Sequence, residues 1–197
     1  MKNIKLLAIL FISSIIVTSC SDDDPDHIHE EEEITTMKVV LTPSAGTKGA
    51  DVVTLEWKNI EDHDEEGHEE GEHEEEPEIT GGTLMANATY NAVITLLNEN
   101  ESPAEDITLE VKEEAEDHQF FYTASGIAST FTYSDSDADG KPIGVEFTVT
   151  TGAVGTGSYT IILKHEPTKS DTNDMTNVGG ETDIEATFPI TIEGMVP

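Results

Sequence analysis

The sequence predicts a mainly β protein, an immunoglobulin-like antiparallel β-sandwich with one short helix. Three observations lead there. Short runs alternate apolar and polar residues with period two, the pattern of strands that bury one face. Turns rich in Gly, Asp and Pro separate these runs at close spacing. Only one stretch carries a helix-capping signature. The domain is expected over residues 34–197, enough chain to bury a substantial core.

Met37, Val39 and Leu41 alternate until Pro43. After the turn Ser44-Ala45-Gly46, Val53, Leu55 and Trp57 alternate against Thr54, Glu56 and Lys58, so the two runs read as a hairpin with Trp57 in the core. Residues 59–80 read as a surface insertion. Its central run EDHDEEGHEEGEHEEEPE has almost no apolar residues and cannot build a core. Gly81-Gly82 restores order, and a strand follows through Leu97. Leu84, six residues before Tyr90, resembles the tyrosine corner of immunoglobulin-like sandwiches. Ser102, Pro103 and Glu105 match N-cap, N1 and N3 of a capping box. Ala104, Ile107, Val111 and Ala115 continue at helical spacing, although Ile107, Leu109 and Val111 also alternate. Further strands are expected over 119–124, 129–133, 145–150, 158–165 and 183–193. Gly152, Gly155 and Gly157 read as a turn rather than a phosphate cradle, because no basic residue is near and a strand follows.

The N-terminus predicts an address. Lys2 and Lys5 flank the start of an apolar run from Ile4 to Val17, about 14 residues where a membrane span needs ~20. Small residues then lead to Cys20, so residues 1–19 read as a secretory signal. Val17-Thr18-Ser19-Cys20 resembles a bacterial lipobox, in which the thiol is acylated and becomes the mature N-terminus. Ser21-Asp22-Asp23-Asp24 resembles a tag that directs lipoproteins to the outer face of the outer membrane. Residues 20–33 read as an acidic, disordered tether. The expected protein is a monomer, lipid-anchored in the outer membrane and exposed at the cell surface.

Nine basic residues, all lysine, stand against 42 acidic ones, a formal charge of −33. Cleavage after residue 19 removes two lysines and no acid, leaving seven against 42, or −35. Such a surface repels nucleic acid and anionic lipid and favours cations, or simply keeps the protein soluble. Cys20 is the only cysteine, so once acylated it leaves no thiol for a disulfide or a thiolate metal site. No G-x-S-x-G, no HExxH and no arginine to clamp an anion is present, and no enzymatic activity is expected.

Two constellations suggest metals. Asp135, Asp137, Asp139, Gly140 and Glu146 fit D-x-D-x-D-G-x5-E at every specified position. Three alternating carboxylates, the Lys141 carbonyl and Glu146 could surround Ca2+; the flanking residues read as strands, so an ordinary Asp/Gly hairpin turn is the competing reading. In the insertion, His63, His68 and His73 recur every five residues among acids. On a helix successive rings would lie about 140° apart, and on a strand they would alternate faces. The expectation is loose capture of Zn2+ or a similar ion, or else a merely solvated loop. Glu114 and His118 have a spacing that can chelate but reads as a surface contact; His165, at a strand end, reads as packing or a loop hydrogen bond.

Gly81 to Tyr90, Ile94 to Glu99, Asp106 to Tyr122, Leu163 to Pro167 and Gly179 to Ile184 resemble a family of small outer-membrane lipoproteins. Its members are often labelled "type 1 periplasmic binding fold" and are often encoded beside TonB-dependent receptors. The resemblance implies an accessory binding module near such a receptor and carries over no catalytic residues. The label's fold has two α/β lobes, whereas the strand pattern here predicts a sandwich.

Overall fold

The computed structural model describes residues 33–47, 49–60 and 76–194. In chain order the elements are β1 (Thr36–Pro43), β2 (Val53–Lys58), β3 (Glu78–Thr80), β4 (Gly82–Met85), β5 (Thr89–Leu97), α1 (Ile107–Glu113), β6 (His118–Ser125), β7 (Ser129–Tyr133), β8 (Glu146–Thr151), β9 (Gly155–His165) and β10 (Glu181–Glu193). They form a six-stranded sheet in the order β3-β2-β1-β5-β8-β7 and a four-stranded sheet in the order β4-β10-β9-β6. This is the β-sandwich that the alternation predicts. No described helix is long and apolar enough to cross a membrane.

Period-two alternation sends one row of each strand inward. Met37, Val39 and Leu41 of β1, Tyr90, Ala92, Ile94 and Leu96 of β5, and Tyr159, Ile161 and Leu163 of β9 are all at most 1 % exposed. They join Phe120, Phe188 and Ile190 in one apolar cluster drawn from both sheets. Burying each such side chain stabilises the fold by roughly 1.5–3 kcal/mol. Aromatic rings lock the layers at one end. Tyr122 of β6 stacks on Phe147 of β8 at 4.1 Å and on Phe131 of β7 at 5.4 Å.

β1 and β2 form the predicted hairpin, with Thr36 opposite Lys58. The tyrosine corner forms too: the Met85 N–H donates to the Tyr90 hydroxyl at 2.8 Å. Trp57 packs against the core but is only half-buried.

Three expectations need correction. The insertion ends before residue 80, because Glu78–Thr80 is a short edge strand whose Glu78 lies opposite Lys58. One pairing is parallel, that of β4 with β10. The chain leaves the six-stranded sheet at Thr80 and joins the four-stranded sheet at Gly82. A Cβ on Gly82 would meet Val53 and Leu55 side chains at 2.5 and 2.7 Å, so the crossing leaves no room for a side chain. The helix, finally, does not start at Ser102. Glu105 exchanges both backbone hydrogen bonds with Asn98, each 3.0 Å, so the chain is still extended there. Asp106 is the N-cap, accepting from the Thr108 N–H at 3.1 Å. The Thr108 hydroxyl accepts from the Leu96 N–H at 2.8 Å and fixes α1 to the end of β5.

Beyond β9, residues 166–180 return along β6, the edge of the four-stranded sheet. Gln119, fully buried, donates to the Ser170 carbonyl at 2.7 Å and accepts from the Ser170 N–H at 2.9 Å. The Asn173 carboxamide accepts from the Tyr122 N–H at 3.2 Å. This loop covers an edge that would otherwise present unpaired amides.

Candidate metal centre

Both candidate metal-binding regions among the described residues rest against the turn that follows α1. The first is the aspartate loop between β7 and β8. Asp135 accepts from the Gly144 N–H at 2.7 Å with Oδ1 and from the Glu146 N–H at 2.9 Å with Oδ2. Asp137 Oδ1 accepts from the Asp139 N–H at 3.0 Å and the Lys141 N–H at 2.7 Å. Its Oδ2 pairs with Lys169 Nζ at 2.6 Å, and the two side chains are 1 % and 8 % exposed. Lys169 also donates to the Ala115 carbonyl. The Lys141 carbonyl accepts from the Asp137 N–H at 2.8 Å. Gly140 takes φ +78°, the reversal foreseen for it.

Two of the three aspartates therefore brace their own loop, and an ammonium stands beside Asp137. Burial would raise the Asp137 carboxyl, but the Lys169 ammonium and the two amides outweigh burial and hold it below its ordinary 3.8. Asp139 and Glu146 are exposed. Ca2+ here would have to displace Lys169 from Asp137 and compete with four backbone amides. The loop has the bonding of an aspartate-anchored turn.

The second region comes from three neighbouring strands. His118 opens β6 and lies opposite His165, which closes β9. Both belong to the inward rows, with Phe120 opposite Leu163 next along the ladder. β10 pairs with the other edge of β9, and its ladder slips between Thr182 and Ile184. That slip makes Asp183 the extra residue of a bulge, a device that redirects a side chain. The result is a cluster in which one donor atom each from His118, His165 and Asp183 lies within 4.8 Å of the others.

His118 is wholly buried. Its Nδ1 lies 3.1 Å from the Glu114 carbonyl oxygen, which can only accept, so Nδ1 carries the proton. Nε2 then faces Asp183 Oδ2 at 3.8 Å. The two imidazoles lie 4.7 Å apart, tilted by 57°. The 166–180 loop closes over this end. Gly180 takes φ +72°, and a Cβ there would press into the His165 carbonyl and, at 2.9 Å, the Pro167 nitrogen. No family model matches this chain, and neither a curated protein nor a solved structure matches it.

Cys20, His63, His68 and His73 lie outside the described residues. Glu114 and His118 do meet, but through the Glu114 carbonyl. Sequence reading missed the convergence of His118 with His165 and Asp183. One signal was available: of seven histidines, only these two lie in the strand-forming part of the chain. The bulge that adds Asp183 leaves no sequence pattern.

Proposed function

We propose that this protein is a lipid-anchored outer-membrane binding module, attached through Cys20, that collects divalent cations such as Zn2+ for a neighbouring TonB-dependent receptor. The observation supporting it most is how the His/Glu-rich segment is mounted. Lys58 and Glu78 are ladder partners, so the ends of that segment are held side by side at the edge of the six-stranded sheet. Imidazoles among carboxylates suit Zn2+, Ni2+ or Cu2+, and the acidic surface raises local cation concentration.

Calorimetric titration of the mature chain with Zn2+ tests this. Several weak ions should bind, and deleting residues 61–75 should remove most of that uptake while leaving the melting temperature within a few degrees. Unchanged uptake after deletion ends the proposal and favours a structural or adhesive surface domain.

A further inference from the structure

We infer that His118, His165 and Asp183 form a second metal site, a buried His2Asp site for one Zn2+ ion that ties together the ends of β6, β9 and β10. The inference does not depend on the fate of the His/Glu-rich segment, since it concerns other residues and a different mode of binding.

The Nδ1–H of His118 is held by the Glu114 carbonyl at 3.1 Å, so the ring offers Nε2 to Asp183. A shared proton closes such a pair to about 2.7–3.2 Å. The pair stands at 3.8 Å. Zinc bonds of about 2.0–2.2 Å let one ion span up to roughly 4.2 Å, with ~3.3 Å the tetrahedral separation. The observed gap is that of an ion pair rather than a direct hydrogen bond, and it lies within the span of one ion. His165 offers its donor atom within 4.8 Å of both partners, so its ligation requires the ring to close in on the ion. Three protein ligands leave the fourth tetrahedral position to water.

The supporting contacts are those of a metal site. A carbonyl on the far nitrogen of His118 fixes its tautomer and ring direction, as outer-shell partners of ligating histidines do. Asp183 reaches the site only because of the bulge. Its side chain is about nine-tenths buried. Two imidazoles and one carboxylate select Zn2+ and its transition-metal neighbours over Ca2+ and Mg2+.

The experiment uses the full mature chain carrying H27Q, H29Q, H63Q, H68Q and H73Q, which leaves His118 and His165 as its only imidazoles. After incubation with Zn2+ and gel filtration, elemental analysis should find one Zn2+ per chain. Zn2+ should raise the melting temperature by about 5–10 °C over chelator at saturating metal. Co2+ in its place should give the visible bands of a four-coordinate N/O site. In the same background D183N should weaken Zn2+ binding by more than about 100-fold, beyond the 10–100-fold typical of an outer-shell partner, and abolish the Zn2+-dependent rise. Its melting temperature in chelator should stay close to that of the parent. H165Q provides a second arm, because its half-buried position tolerates a polar replacement. No retained Zn2+ in the parent chain, or equal retention in D183N and H165Q, overturns the site.

Discussion

The turn after α1 is shared by two charged neighbours with opposite histories. The aspartate loop is local: its acids lie between Asp135 and Glu146, and its signature is complete in the sequence. The His118, His165 and Asp183 cluster is non-local and has no signature, yet its donor atoms converge within 4.8 Å. The difference teaches how short carboxylates behave in tight loops. Asp135 and Asp137 sit within reach of the amides of Gly144, Glu146, Asp139 and Lys141, and they bond to them. Asp183, at the register slip of β10, instead faces His118 Nε2 at 3.8 Å.

The sharpest way to break this comparison is Lys169→Met. It strips the counter-charge from a carboxylate 1 % exposed, and loss of one partner of a buried pair costs about 3–5 kcal/mol. The loss should be equal in chelator and in millimolar Ca2+ by denaturant unfolding. Recovery of most of the stability in Ca2+ would show that the loop is a calcium site with lysine as its stand-in.

Asp135→Ala should cost about 1–2 kcal/mol, since it leaves one part-buried and one exposed amide without their acceptor. It should not change the Zn2+ content of the His2Asp site; a parallel loss would mean that the two regions are one coupled unit.

Acid should act on the loop through Asp137. Its folded carboxyl is held below the ordinary 3.8, so the stability it adds is fully present above that value and fades as pH falls through the lowered folded value. Denaturant unfolding from about pH 5 to about pH 2 should show the gap between the native chain and Asp137→Asn narrowing. A gap constant over that range would remove the ion pair from the account. The smallest effect is expected at Asp139, which is exposed and gives its N–H to Asp137. Asp139→Asn should change stability by less than about 0.5 kcal/mol, with or without Ca2+.

Much of the fold was legible because its cause is local. Alternation in Met37–Leu41, Val53–Trp57 and Tyr90–Leu96 depends only on which face a residue takes, and the tyrosine corner at Leu84–Tyr90 is a short-range device. The helix start was misread because the pattern at Ser102 to Glu105 is equally local, while the residue that overrides it, Asn98, is a bridge partner from the end of β5. Gly81-Gly82 marked a boundary in the sequence, but not that the chain there changes sheets and runs parallel to β10.

By itself, then, the sequence determined the class of fold, the acidity, the polar segment between β2 and β3 and the expected address at Cys20. All of these follow from composition and short-range period. The tertiary structure alone decided which acids are occupied and which histidines meet. Occupancy depends on Lys169 arriving from a distant loop to neutralise Asp137. The meeting of His118 and His165 depends on ladder register, and that of Asp183 on a one-residue slip in β10, neither of which leaves a periodic trace in the chain.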